Sequence, residues 1–143
     1  MFFSLPALVN AQNQGNSRAE RMEKIHNAKV SFIGDKMNLS GDQAKQFWPV
    51  YNEYENKRHE LRHKSRPFRN TKLEDLSDQQ MLEGIKAMQN VQQMELNLEK
   101  EYTDRFLKIL TVRQVVEFHK AEREFTKALL QKMDSRHGGK PNL

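Results

Sequence analysis

Glu55, His59 and His63 lie at successive steps of four residues, which places all three on one face of a helix. Imidazole and carboxylate at that spacing suit zinc, copper or nickel. Arg58, Arg62 and Lys64 surround the trio and oppose a cation, and a fourth ligand is missing. The expectation is no cofactor and no functional metal site. A metal-responsive sensor using His59 and His63 is the alternative reading. Catalytic chemistry has little to start from. There is no cysteine, no glycine-rich phosphate loop and no nucleophile elbow. The carboxylates fall within a helical turn of Lys or Arg, the pattern of a solvated helix face. The chain reads as non-enzymatic.

The densest charge lies elsewhere. From Lys57 to Lys72 the chain carries Lys57, Arg58, Arg62, Lys64, Arg66, Arg69 and Lys72, against one acid, Glu60. That local excess of six exceeds the net charge of the whole chain, +5. Part of it complements a helix C-terminus. Phe68 adds an apolar contact within the run. Lys57, Arg58, Arg62, Lys64, Arg66, Phe68 and Arg69 therefore form the candidate binding surface, suited to acidic or unfolded polypeptide.

These residues need helices to hold them, and the chain marks its helix starts clearly. Leu39-Ser40-x-x-Gln43, Leu76-Ser77-x-x-Gln80 and Leu110-Thr111-x-x-Gln114 repeat one device. The Ser or Thr hydroxyl accepts from an unpaired amide of the first turn, and the Gln reaches back to the cap amide. Leu39 with Ala44 stands where a hydrophobic staple would form. Four helices follow, and no period-two segment argues for a strand. The first is expected from about Arg18 to Met37, on Met22, Ile25, Ala28, Phe32 and Ile33. The second runs from about Gly41 to Arg66 on Ala44, Phe47, Tyr51, Tyr54 and Leu61, with Arg58 in the remaining slot. Its stripe keeps phase across Pro49, so one kinked helix is expected. The third runs from Ser77 to about Ile109 on Met81, Ile85, Met88, Val91, Met94, Leu98, Tyr102, Phe106 and Ile109. The fourth follows Thr111 and ends near Met133, on Val115, Phe118, Glu122, Phe125, Leu129 and Met133. Arg58 and Glu122, both charged residues on apolar stripes, are expected to pair.

The expected organisation is a helical domain over residues 18–133. A signal-peptide remnant (1–11) and a flexible lead-in (12–17) precede it, and a disordered tail (134–143) follows. Phe2 to Ala11 is short and apolar, and Val9-x-Ala11 offers small residues where a signal peptidase would cut before Gln12. The stretch is too short to span a bilayer. Export argues against nucleic acid as the partner.

The paired Leu39-Ser40-x-x-Gln43 and Leu110-Thr111-x-x-Gln114 resemble the two LTxxQ motifs of the Spy/CpxP-like periplasmic proteins. Phe47-Trp48-Pro49-Val50-Tyr51-Asn52-Glu53-Tyr54-Glu55 and Ala121-Glu122-Arg123-Glu124-Phe125 are similar to a branch described as sensors of ECF-type sigma factors. The resemblance covers about Arg18 to Met133. It implies an all-α, hairpin-like fold that dimerises into a curved cradle. Such proteins act as ATP-independent chaperones, as inhibitors of envelope-stress sensor kinases or as metal-responsive sensors. The expected function is thus a non-enzymatic periplasmic stress-response protein. It would bind partly unfolded polypeptide or serve as adaptor for a membrane stress sensor.

Overall fold

The computed structural model describes residues 9–64 and 70–138. Over these the chain is all-helical: α1 (Val9–Met37), α2 (Gly41–Lys64), α3 (Asp78–Leu107) and α4 (Val112–His137), with a 3-10 turn at Leu73–Asp75 before α3. No strand occurs among the described residues. The chain divides into two compact units. A hairpin unit comprises Leu39–Val115, and a terminal unit comprises the chain up to Asn38 and from Val116 onward.

The hairpin unit is built on α2 against α3. Phe47 meets Phe106 at 5.2 Å between ring centroids, and Tyr54 meets Tyr102 at 5.1 Å. Further along, Arg62 Nε lies 3.2 Å from Glu95 Oε1. Partner numbers fall as α2 advances, so the two helices run antiparallel. The expected α2 stripe is the observed one: Phe47, Tyr51, Tyr54 and Leu61 are buried, facing Leu98, Tyr102 and Phe106 of α3. Aromatic rings dominate because each buries a large apolar area and favours tilted or edge contacts. α2 passes through Pro49 as one helix. Trp48 beside it stands edge-on to Tyr51 at 5.4 Å.

The stripe expected on α3 is buried only in its second half. Ile85 is 47% and Met94 39% exposed. From Ile85 to Met94 the stripe advances in consecutive steps of three, each of which turns the line of side chains about 60° around the axis. Over the span from Ile85 to Tyr102 the net turn is about 100°. In α2 the steps alternate between three and four, which keeps Phe47, Tyr51, Tyr54 and Leu61 within an arc of about 80°, and there burial matches expectation.

In the terminal unit, Phe32 of α1 meets Phe125 of α4 at 5.8 Å. Lys29 Nζ lies 3.4 Å from a carboxylate oxygen of the buried Glu122. Lys36 reaches Glu124 at 3.8 Å and covers the Phe32 ring. Ile33, Met37, Phe118 and Ala121 are buried, whereas Met22, Ala28 and Met133 are exposed. Arg58 and Glu122, expected to pair, belong to different units. Within its own unit Arg58 is bound to Glu55 and Glu122 to Lys29.

Two boundaries differ from expectation. α1 begins at Val9 and includes the lead-in over residues 12–17. That segment holds no proline, and its single glycine, Gly15, costs a helix only about 1 kcal/mol relative to Ala. Helix propagation is easy once a turn exists. α4 runs past Met133 to His137, closing where the Gly138 amide donates to the Asp134 carbonyl at 2.8 Å. The signal remnant over residues 1–8, the expected end of helix two at Arg66 and the tail over 139–143 lie outside the described residues.

The stop between α1 and α2 is sharp. Asn38 has a φ of 50°, and its amide donates to the Gly34 carbonyl at 3.2 Å. Asn tolerates this left-handed conformation, whereas a residue with an ordinary Cβ pays for it. Asn38→Ala is expected to lower unfolding free energy by about 1 kcal/mol, with Asn38→Gly at least as stable as the parent in urea denaturation.

Candidate functional site

All three capping boxes form. The Ser40 amide donates to Gln43 Oε1 and the Gln43 amide to Ser40 Oγ, both at 3.2 Å. The Ser77–Gln80 box closes at 2.9 and 3.2 Å, and the Thr111–Gln114 box at 3.0 and 3.2 Å. Each satisfies helix-end amides that would otherwise lack an intrahelical partner.

Two of the boxes also meet. Gln43 Nε2 donates to Gln114 Oε1 at 2.8 Å, and Gln114 Nε2 donates back to Gln43 Oε1 at 2.9 Å. Gln43 Nε2 further donates to the Ile109 carbonyl at 3.2 Å, in the turn joining α3 to α4. Each amide oxygen thus accepts twice, once from its own cap and once from the other glutamine. A primary amide is suited to this, with two acceptor sites on oxygen and two donors on nitrogen. Glutamate could not donate, and leucine could do neither. The contact is part-buried, where an unmade hydrogen bond costs more than a made one contributes. Ser77 and Gln80 stay apart from this meeting point and are exposed. Leu110 and Val115 are buried beside the Thr111 cap, and Leu39 and Leu76 are half-buried.

A charged cluster ties α2 to α3 on the same hairpin. Arg105 grips Glu53 through two parallel bonds of 3.1 Å each. The Tyr102 hydroxyl donates to Glu53 Oε1 at 2.7 Å, and Lys57 Nζ lies 3.3 Å from the same oxygen. Arg105 and Lys57 both lie over the Tyr102 ring, at 4.7 and 5.3 Å. The Arg105 bonds, then the Tyr102 bond, hold the Glu53 carboxyl down at about 2 from an ordinary 4.5. Burial, then its bond to Glu53, pushes the Tyr102 phenol up. A carboxyl so held is ionised at any neutral pH, with its oxygens taken by donors. It is a fastener and cannot serve as a proton donor.

The basic run contributes less free charge than its sequence implies. Lys57 pairs with Glu53, Arg58 with Glu55 and Arg62 with Glu95. Arg58 also lies on the Tyr54 ring at 4.8 Å, which explains a cation's place on the apolar stripe. Lys64 is exposed. Arg66, Phe68 and Arg69 lie outside the described residues. Glu55 is held by Arg58, while His59 and His63 are exposed. Among the described residues no three His, Asp or Glu side chains converge to hold a metal ion.

Sequence reasoning found the boxes and missed their contact. The signal was available in the repeat itself, which puts Gln43 and Gln114 at equivalent positions after equivalent caps. The Glu53–Arg105 clasp left no mark, since two ordinary surface residues far apart in sequence form it. Compared with family models, curated proteins and solved structures, the chain matches none.

The depressed Glu53 carboxyl sets a sign for acid stability. A folded-state value below the unfolded one contributes stability that is complete above the ordinary 4.5 and is lost as pH falls toward about 2. A carbon-detected NMR titration of Glu53 is expected to show that low midpoint. Arg105→Gln is expected to move it upward toward the ordinary value, with acid unfolding beginning at higher pH.

Proposed function

We propose that this is a non-enzymatic periplasmic protein of the Spy/CpxP-like kind, acting in envelope stress. It binds partly unfolded or acidic polypeptide as an ATP-independent chaperone, or presents itself to a membrane stress sensor as an adaptor. The observation that carries the reading is the surface of α3. Leu82, Ile85, Met94 and Leu96 are between 39% and 47% exposed on one helix. Their exposure suits transient capture of apolar segments better than catalysis, and methionine adapts to varied partners.

Three further points support it. The two LTxxQ-like segments act as one structural element through their glutamines. The apolar N-terminus ending in Val9-x-Ala11 fits export. No helix among the described residues is long and apolar enough to cross a membrane. We include the curved homodimer in the proposal, as the arrangement that would present two such surfaces together. The metal-responsive alternative, using His59 and His63, has less to support it, since the carboxylate a turn away, Glu55, is paired with Arg58.

The test is aggregation of a thermally unfolding client, malate dehydrogenase, followed by light scattering. An equimolar amount of this protein is expected to suppress most of the scattering without nucleotide. Ile85→Ser with Leu96→Ser is expected to weaken suppression while helicity by circular dichroism stays unchanged. Scattering that rises as in buffer alone would refute the chaperone form.

A further inference from the structure

The face of α4 turned to solvent carries Val116, Lys120, Arg123, Lys127 and Leu130, all exposed. At 3.6 residues per turn these positions fall within an arc of about 80°. Their spacings are four, three, four and three residues, the alternation of a heptad seam that lines up with a second helix. The seam lies wholly in the terminal unit. Val116 is 60% and Leu130 55% exposed, one at each end. Between them stand three cations on consecutive turns, over roughly 10 Å of helix axis. Among the described residues none of the three has an ion-pair or hydrogen-bond partner for its side chain. Of the nearby acids, Glu117 borders the stripe three residues before Lys120, and Asp134 lies one turn past Leu130. Glu122 is on the buried face with Lys29, and Glu124 is paired with Lys36.

Like charges at helical neighbour spacings repel, so this stripe works against the helix that carries it. Within the stripe itself the three central charges are of one sign. The geometry points to a docking line for an acidic helical segment of another protein, with three carboxylates at the complementary spacing and an apolar residue at each end. A helix is favoured over an anionic lipid surface because the stripe is narrow. Glu117 and Glu124 border one side of it and would face a flat anionic surface. The assignment rests on the proposed function, which it sharpens by moving acidic recognition from the end of α2 to α4.

The probe is a fluorescein-labelled synthetic helical peptide on an Ala/Gln background. It bears Leu, Glu, Glu, Glu and Leu at spacings of four, three, four and three, and binding to the full chain is read by fluorescence anisotropy. Binding is expected, and a peptide of the same composition in scrambled order should bind about tenfold more weakly. Affinity should fall with added salt. The Lys120→Glu, Arg123→Glu, Lys127→Glu variant should lose at least about tenfold, and the Gln versions at the same sites serve if charge reversal disturbs folding by circular dichroism. Lys64→Glu with Lys72→Glu should change affinity less than about twofold. Absent binding, equal binding of the scrambled peptide, or loss only in the Lys64 and Lys72 variant would overturn the assignment. So would preference for phosphatidylglycerol vesicles over the peptide. The same α4 variant in the light-scattering assay separates the two claims. An inactive parent defeats the chaperone reading, whereas an active parent with a peptide-blind α4 defeats only this assignment.

Discussion

The reciprocal amide pair between Gln43 and Gln114 is the contact on which the hairpin unit depends. It joins the first turn of α2 to the first turn of α4. A third bond, to the Ile109 carbonyl, fixes both to the turn leaving α3. Each glutamine already serves its own helix start, so the same side chain terminates local structure and makes tertiary structure. The arrangement demands amides at both positions. It also demands capping residues at Ser40 and Thr111, because the caps orient the glutamines that then meet.

Around that point the unit is held by two kinds of interaction at different heights of the hairpin. The aromatic residues Phe47, Tyr51, Tyr54, Tyr102 and Phe106 supply the buried apolar area. The Glu53–Arg105–Tyr102–Lys57 cluster then fixes register at the surface of the same helix pair. Its Glu53, Lys57 and Arg105 groups are partly exposed, so their ion pairs contribute specificity more than stability. Polar anchors of this kind matter in a chain with 36% hydrophobic residues, where the core alone is modest.

Much of this was readable in the residues, for a physical reason. Capping boxes are local, involving positions three apart, so all three helix starts followed from sequence. The α2 stripe followed because its alternating steps of three and four keep Phe47, Tyr51, Tyr54 and Leu61 on one face. The α3 stripe did not, since its run of three-residue steps from Ile85 to Met94 turns off the buried face and leaves both exposed. The basic run was legible as charge but not as free charge. Glu95, which neutralises Arg62, comes from another helix, and no local pattern announces it. Glu55 sat correctly for a metal by spacing, yet the nearer Arg58 claimed it.

For function, the consequence is a division of labour. The motif that first draws the eye is a structural clasp, and its glutamines have no spare hydrogen-bonding oxygen to offer a ligand. Under the proposed function, recognition falls to the apolar side chains on α3, in the unit that the clasp holds together, and separately to the cations on α4 that have no partner among the described residues. A double-mutant cycle on Gln43→Ala and Gln114→Ala, read by urea unfolding, tests the clasp most directly. The account predicts single losses of about 2 kcal/mol each and a double loss smaller than their sum by about 1–2 kcal/mol. Additive losses, within about 0.3 kcal/mol, would contradict it.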